Sequence, residues 1–276
     1  MEIQTITNAG ITYSKPEVTL LHAAPLWLGE VAGRTAYNSF SKSEHQAIQE
    51  FPVTLNVEED IENSDLLTSL AWVHHHHSVI EMCNLTYHIK GVSRGVLVEH
   101  SRHRIQSLTV QSTRYTMSSL LNAFTTADIF GKYHWFETVV LAMDMFATDS
   151  EYNKIEIRAI WDKLMYQKSV IGIDEMRRIT VAKSSVPLIN SGHTSCNDLF
   201  ASLEAGKQKR NVGDAFKHIV TDNWKCDLVV TMNLRGLKNY FGLRDSGAAY
   251  FLMRELAKAM KQATPAKYLD LIVRSK

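Results

Sequence analysis

Apolar residues recur with strand and helix periods along the chain, and these periods predict its secondary structure. In Cys83–Lys90, CNLTYHIK, every second residue from Leu85 to Ile89 is apolar, which is typical of a strand with one buried face. Gly91 is predicted to break this strand. Ser93 is a suitable N-cap for a helix that ends near Ser101.

Other segments show similar patterns on both sides of this strand. Val18–Leu21 predicts a short strand, followed by a helix whose apolar side is expected at Leu26, Leu28, Val31 and Ala32. The remaining predicted elements are a strand at Leu228–Met232 and helices at 66–77, at Trp135–Gln167 in two pieces with a break near Thr148–Ser150, at Leu237–Phe241, at Gly247–Ala263 and after Pro265.

Helix dominates this mixture, so we predict an α+β or mixed α/β fold in a single domain spanning residues 1–276. The segment 183–212 is rich in Ser, Asn, Gly and Lys, which indicates an insertion.

Composition excludes several classes of protein. The 276 residues are 45% hydrophobic, which is enough apolar material for a core. A net charge of +1 argues against binding nucleic acid or a membrane surface by bulk charge. No apolar run approaches the ~20 residues of a membrane span. Cys83, Cys196 and Cys226 are widely spaced, which predicts reduced thiols in a cytoplasm (that of a host if the protein is viral), at least two of them buried.

Four consecutive histidines, His74–His77, are the most conspicuous candidate for a metal site. On a helix only residues three or four positions apart share a face, so only His74 and His77 would do so. No cysteine or carboxylate has a matching spacing. We therefore predict no metal site, and instead a helix end with one or two buried or functional histidines.

Two cationic clusters are better candidates for chemistry. Arg102-His103-Arg104 is followed by a run of hydroxyl and amide side chains up to Thr113, a composition that suits phosphate groups because guanidinium pairs with phosphate oxygens bidentately. The second cluster contains Asn233, Arg235, Asn239 and Arg244. The usual alternative for such runs is a solvated helix face. Nucleic-acid binding is disfavoured, because stacking aromatic residues between the cations are scarce.

The first cluster carries a resemblance to a known family. RHRIQSLTVQS, Arg102–Ser112, has the form Arg-His-Arg, seven residues, Ser, which is the signature of the flavin-dependent thymidylate synthases. Further segments that resemble the family are Val18–Tyr37, His77–Glu81, Gly91–Arg104, Ser112–Tyr115 and Thr231–Arg244.

The resemblance implies a fold, an activity and a set of cofactors. Members have a central mixed sheet with long flanking helices and assemble as homotetramers whose active sites are built from several subunits. They bind FAD, which NADPH reduces, and they methylate C5 of dUMP to give dTMP with methylenetetrahydrofolate as the carbon donor. The implied partner is a pyrimidine deoxynucleotide monophosphate, with no nucleic acid and no membrane.

The resemblance also implies roles for individual residues. FAD contacts are expected from Arg102, His103, Arg104 and Ile105 and, from a neighbouring subunit, Asn233, Arg235 and Asn239. Nucleotide contacts are expected from Glu99, Arg102, Ser112, Thr113, Arg114, Arg178 and Arg244. Arg244 is expected to be catalytic, because a fixed guanidinium stabilises negative charge that develops on the pyrimidine.

Several positions depart from the family pattern. Met82 replaces a usual His, Glu99 a usual Gln and Val110 a usual Glu or Gln, and Asp245–Met253 is also atypical. An ionised Glu99 only accepts hydrogen bonds, which would suit the exocyclic amine of cytosine, unless it pairs with Arg102 or Arg94 and leaves the base pocket unchanged. The alternatives are therefore an enzyme that makes another 5-substituted pyrimidine, such as hydroxymethyl-dUMP or a dCMP product, and a non-catalytic flavin- or nucleotide-binding paralogue.

Overall fold

The structure is a computed structural model that describes residues 5–50, 61, 64–129, 131–172 and 217–274. Two compact units share the chain: the first contains Met1–Gln4, Lys15–Val110 and Cys226–Lys276, and the second contains Thr5–Ser14 and Gln111–Lys225. The single domain and the insertion stay predictions, and residues 183–212 lie outside the described ranges.

Strands and helices are numbered in chain order. The strands are β1 Thr5–Asn8, β2 Ile11–Ser14, β3 Glu17–Ala23, β4 Asn84–Ser93, β5 Ser107–Val110 and β6 Lys225–Asn233. The helices are α1 Trp27–Tyr37, α2 Gln46–Gln49, α3 Asp65–Trp72, α4 Arg94–Ser101, α5 Thr113–Ile129, α6 Tyr133–Ala142, α7 Ser150–Ile171, α8 Leu234–Arg244, α9 Phe251–Ala263 and α10 Ala266–Ile272. Short 3-10 turns cover Phe40–Lys42, Val79–Met82 and Lys217–Ile219.

The first unit contains a four-stranded sheet in the order β3-β4-β6-β5. Strand β4 pairs antiparallel with β3, and β5 pairs antiparallel with β6. The alternation predicted for β4 is confirmed, because Leu85, Tyr87 and Ile89 are fully buried. Strand β6 alternates in the same way, with Cys226, Leu228, Val230 and Met232 buried. The sheet thus has a well-packed face in its two middle strands.

Gly91 does not end β4 as predicted. The strand continues to Ser93, and Gly91 has a φ of +70°, a conformation that glycine adopts without steric cost. Its N–H donates to Asp227 Oδ1 at 2.9 Å, which ties the kink to β6. The predicted cap is confirmed, because Ser93 Oγ accepts from Val96 N at 3.2 Å where α4 begins.

Helix α1 forms where predicted, and Leu26 just before it is fully buried as expected, but the rest of its buried face differs from the prediction. Gly29, Glu30, Gly33 and Arg34 are buried, whereas Leu28, Val31 and Ala32 are half-buried. The two glycines allow close packing on leucines of α3. Glu30 can be buried because it accepts hydrogen bonds from Arg34 and from Ser43 Oγ, the latter at 2.6 Å. Apolar periodicity alone does not predict a buried helix face that is made of two glycines and a Glu30–Arg34 ion pair.

The second unit has its own core between α5, α6 and α7. Its centre is aromatic: the Phe124 and Trp161 rings lie 5.0 Å apart, and Phe136 and Trp161 lie 5.1 Å apart. The two helices predicted in Trp135–Gln167, and the break between them, are confirmed. Strands β1 and β2 form an antiparallel hairpin. Apolar periodicity predicted neither this hairpin nor β5 and α5.

The C-terminal elements follow the prediction with shifted boundaries. Helix α8 extends well beyond Leu237–Phe241 in both directions, and α9 begins at Phe251 and not at Gly247. Helix α10 begins directly after Pro265, as predicted. Within the described ranges no helix combines the length and the apolar character that crossing a membrane requires.

Candidate active site

A cavity of about 970 Å³ opens in the first unit, a size at the upper end of ordinary ligand sites. Two segments supply most of its wall: the turn after α4 and the body of α8 with the loop that follows. The lining residues are His77, Arg102, His103, Arg104, Ile105, Met232, Arg235, Gly236, Lys238, Asn239, Leu243, Arg244, Ser246, Ala248 and Ala249.

Local sequence explains why these two segments meet. Asn233 caps α8, because its Oδ1 accepts from Gly236 N at 2.8 Å. A Cβ on Gly236 would lie 3.3 Å from the carbonyl oxygen of Ile105, so glycine permits the close approach of the two segments. The first turn of α8, with Arg235 and Gly236, therefore borders the cavity, and the partial positive charge of a helix N-terminus favours an anion there.

Arg244, at the end of α8, is held by three hydrogen bonds. Its Nε donates to His103 Nε2 at 2.8 Å, its Nη1 to Glu99 Oε2 at 3.2 Å, and its Nη2 to the carbonyl oxygen of Glu99 at 3.2 Å. Glu99 also accepts from Arg102 Nη1, at 3.1 Å to Oε1. Glu99, Arg102, His103 and Arg244 thus form one connected cluster at the cavity wall. Of the two alternatives given for Glu99 in the sequence, the structure has the pairing with Arg102.

The buried rings of Tyr240 and His100 pack next to this cluster. Tyr240 is fully buried, and its ring centroid lies 4.7 Å from that of His103 in an edge contact. Its hydroxyl lies 3.2 Å from Nδ1 of the equally buried His100. Burial lowers the pKa of His100 to about 4, so His100 is neutral at physiological pH.

His103 also favours its neutral form. Burial, and then the positive charge of Arg244, lower the pKa of His103, while the carboxylate of Glu99 works in the opposite direction. A neutral imidazole has one acceptor nitrogen, and Arg244 Nε donates to Nε2. The lowered pKa and the observed hydrogen bond are therefore consistent with each other.

The other cations of the cavity have different partners. Arg235 pairs with Glu81. Lys238 Nζ donates to the carbonyl oxygen of Ala71 at 2.9 Å and lies 3.2 Å from His77 Nε2. Arg104 is exposed and makes no ion pair within the part of the chain that the structure describes. The cavity therefore combines paired arginines with a cation that has no counter-ion among the described residues.

The histidine tract lies after α3, because that helix ends at Trp72. His74 and His77 accordingly do not share a helix face, and His75 has a φ of +55°. His77 borders the cavity, and burial followed by the Lys238 charge lowers its pKa. Among the described residues no group of three or more His, Cys, Asp or Glu side chains has the geometry of a metal site.

The structure brings together most, but not all, of the residues that the sequence singled out. Arg102, His103, Arg104, Ile105, Arg235, Asn239 and Arg244 line one cavity of one chain, and Glu99 contacts two of them. Asn233 acts as the cap of α8. Ser112, Thr113 and Arg114 belong to the second unit, where Thr113 and Arg114 begin α5. Arg178 lies outside the described residues. The roles of all these residues stay predictions.

Lys238 was not predicted as a site residue. His77 was predicted only as part of the segment His77–Glu81 that resembles the family and as a member of the histidine tract, with no role of its own. The one available signal for Lys238 was its position three residues after Arg235, on the same helix face. Two cysteines are buried as predicted, Cys83 and Cys226, and burial raises the pKa of Cys226 to about 11. Cys196 lies outside the described residues.

Comparison with known proteins shows the family. The sequence profile of the family described as thymidylate synthase complementing protein matches residues 20–267. This chain belongs to that family. The family and the enzyme class inferred from the Arg102–Ser112 motif are therefore confirmed, as is the mixed α/β fold class.

Individual relatives extend over nearly the whole chain. A flavin-dependent thymidylate synthase of Helicobacter pylori is 27% identical over 252 residues, which cover 91% of this chain and 95% of the relative. One of Campylobacter jejuni is 27% identical over 254 residues, covering 91% and 93%. The crystal structure of Helicobacter pylori thymidylate synthase X with FAD and dUMP has a TM-score of 0.58 at 25% identity and covers 94% of this chain and 97% of that one.

Proposed function

We propose that this chain is an FAD-dependent thymidylate synthase that methylates dUMP at C5 to give dTMP. NADPH is the proposed reductant, methylenetetrahydrofolate the proposed carbon donor, and the cytoplasm the proposed compartment. The observation that carries the proposal is the clustering of Arg102, Arg104, Arg235, Lys238 and Arg244 on one cavity of about 970 Å³. A dinucleotide with a diphosphate and a nucleotide with a phosphate both require such cations.

The residues of the cavity fit FAD. Arg104 is an exposed cation without an ion pair among the described residues, and the first turn of α8 favours an anion beside it. Ile105 and Leu243 line the cavity and are 63% and 56% exposed, which gives apolar area for a ring system. Arg102, Arg104, Arg235 and Asn239 would hold the cofactor. Bound FAD would supply hydride transfer, which no side chain can perform.

The chain's own contribution is orientation and charge. Three hydrogen bonds fix Arg244, so its guanidinium needs little reorganisation when negative charge develops on a pyrimidine beside it. His103 accepts from Arg244 Nε only while its Nε2 carries no proton, which the lowered pKa favours. Arg102 is exposed and can turn toward a phosphate. The family resemblance also implies nucleotide contacts for Ser112, Thr113, Arg114 and Arg178, and these contacts stay proposals.

A dCMP substrate receives no support from the structure. A cytosine would place its exocyclic amine opposite Glu99, but the Glu99 carboxylate already accepts from Arg102 and Arg244. We therefore favour dUMP over the dCMP alternative.

Spectra and a turnover assay test the proposal. The purified protein should be yellow, and heat should release FAD. With dUMP, methylenetetrahydrofolate and NADPH it should form dTMP, identified by mass, and dCMP assayed in parallel should not react. Arg244→Gln should keep FAD and lose about 100–1000-fold in rate. A colourless protein that does not take up FAD contradicts the proposal, whereas a hydroxymethyl product would select that alternative.

A further inference from the structure

The carboxylate of Glu99 lies between two arginines that are proposed to meet the nucleotide. Oε1 accepts from Arg102 Nη1 at 3.1 Å, and Oε2 accepts from Arg102 Nη1 at 3.3 Å and from Arg244 Nη1 at 3.2 Å. Both arginines border the cavity. Two of the arginines that are proposed to meet the nucleotide are therefore already paired with a carboxylate that belongs to the protein.

We propose that Glu99 is an internal counter-ion that a substrate phosphate must displace, and that it thereby restricts the site to ligands carrying a doubly charged phosphate. The inference rests on the proposed function, which supplies the nucleotide. It makes Glu99 a specificity-determining residue, with no direct contact between its carboxylate and the base.

Exposure decides which contact of Glu99 gives way. The Arg102 side chain is 69% exposed, and such ion pairs contribute little, so Arg102 can leave Glu99 at small cost. The Arg244 side chain is only 18% exposed and is also held by His103 and by the carbonyl oxygen of Glu99. A ligand that attracts Arg102 therefore leaves Arg244 in position.

Charge decides which ligands can displace the carboxylate. A phosphate dianion offers two charges and three acceptor oxygens, and a guanidinium binds it bidentately. Chloride has one charge and no such geometry, and a nucleoside has no phosphate. Neither chloride nor a nucleoside can replace the contacts that Arg102 makes with Glu99. The Glu99–Arg102 pair therefore disfavours the binding of both ligands.

Glu99→Gln tests the proposal because the amide keeps the size and one acceptor oxygen but removes the charge. The matched control is Glu151→Gln, which removes the same charge from an exposed pair with Lys154 in the second unit. The wild-type protein and both variants, as purified, are titrated by calorimetry with dUMP and with inorganic pyrophosphate, at several KCl concentrations.

We expect Glu99→Gln to bind both anions about tenfold more tightly than wild type and to become more sensitive to KCl. Glu151→Gln should match wild type, and melting temperatures show whether each variant is folded. The proposal is overturned if a folded Glu99→Gln binds both probes no more tightly, or if neither probe binds any of the proteins. If pyrophosphate alone binds, and binds Glu99→Gln more tightly, the counter-ion role stands and the proposed nucleotide is wrong.

Discussion

At the scale of single residues, the His103–Arg244 hydrogen bond links the site to pH. Burial and the Arg244 charge lower the pKa of His103 in the folded protein, so the neutral form stabilises the fold. This contribution is fully present above the unfolded value of about 6.5 and is lost as pH falls through the lowered folded pKa. His103→Gln keeps a neutral acceptor at every pH. We therefore expect urea unfolding of this variant to depend less on pH below about 6.5 than that of wild type.

The control for this prediction is His134→Gln, at a side chain that is 95% exposed on α6. His100 and His77 also have lowered pKa values and remain in both variants. Burial is the largest cause of each shift, so most of their contribution to the loss of stability at acid pH is common to both variants. If the free energy of unfolding depends on pH equally in His103→Gln and in wild type, protonation of His103 does not contribute to the loss of stability at acid pH.

The sequence predicted the residues of the motif better than the contacts they make. The Arg-His-Arg motif and the Arg235–Arg244 cluster do line one cavity. The motif directly follows α4, which Ser93 caps, and the cluster lies on α8, which Asn233 caps. Lys238 was missed because its main partner, the carbonyl oxygen of Ala71, is 167 positions away. No local pattern encodes a contact between a lysine and a distant backbone carbonyl.

At the scale of elements, α1 shows how a helix can bury a face without large apolar residues. A Cβ on Gly29 would lie 3.1 Å from Leu67 Cδ2 and 3.3 Å from both Cys83 Sγ and the carbonyl oxygen of Val79. Gly29→Ala therefore overpacks this contact, and we expect the free energy of unfolding to fall by about 1 kcal/mol, the overpacking cost less the gain in helix propensity. Urea titration at neutral pH measures it.

Gly242 in α8 is the matched control, because a Cβ there would meet nothing within 4 Å. Gly242→Ala should instead raise the free energy of unfolding, by about 0.5–1 kcal/mol, through helix propensity alone. If both alanine variants stabilise the protein equally, the close packing of α1 on α3 does not limit its stability.

The elements that sequence reasoning missed share a physical cause. Strand β5 contains only the four residues Ser107–Val110, too few for a clear alternation of apolar and polar residues. Its pairing with β6 stabilises it as a strand. Helix α5 begins in a run of hydroxyl and amide residues that favour turns and caps. Tertiary packing of Leu120, Leu121 and Phe124 overrides that preference, since all three are buried in the core of the second unit.

At the scale of the whole molecule, sequence patterns did not predict the division into two units. The second unit joins Thr5–Ser14 to Gln111–Lys225, so its boundary is discontinuous along the chain. Ser14 N donates to the carbonyl oxygen of Ala147 at 2.8 Å, a bond across 133 positions. Linkers and composition shifts mark boundaries between consecutive segments, and here no such linker separates the units.

The family resemblance implies that the chain assembles as a homotetramer with shared active sites. Helix α7 buries Ile157, Ile160 and Leu164, yet its opposite side exposes Ile155, Tyr166 and Val170 by 69%, 72% and 64%. A net charge of +1 gives little repulsion between copies.

We therefore expect light scattering after size exclusion to give about four times the mass of one chain. If the flavin site is shared, binding of FAD and assembly stabilise each other. Removing FAD should then weaken the tetramer, and dilution should release both subunits and flavin. The control is the same dilution series with saturating FAD, which should hold the tetramer together. A monomer that retains FAD at every dilution would show that one chain forms the complete flavin site.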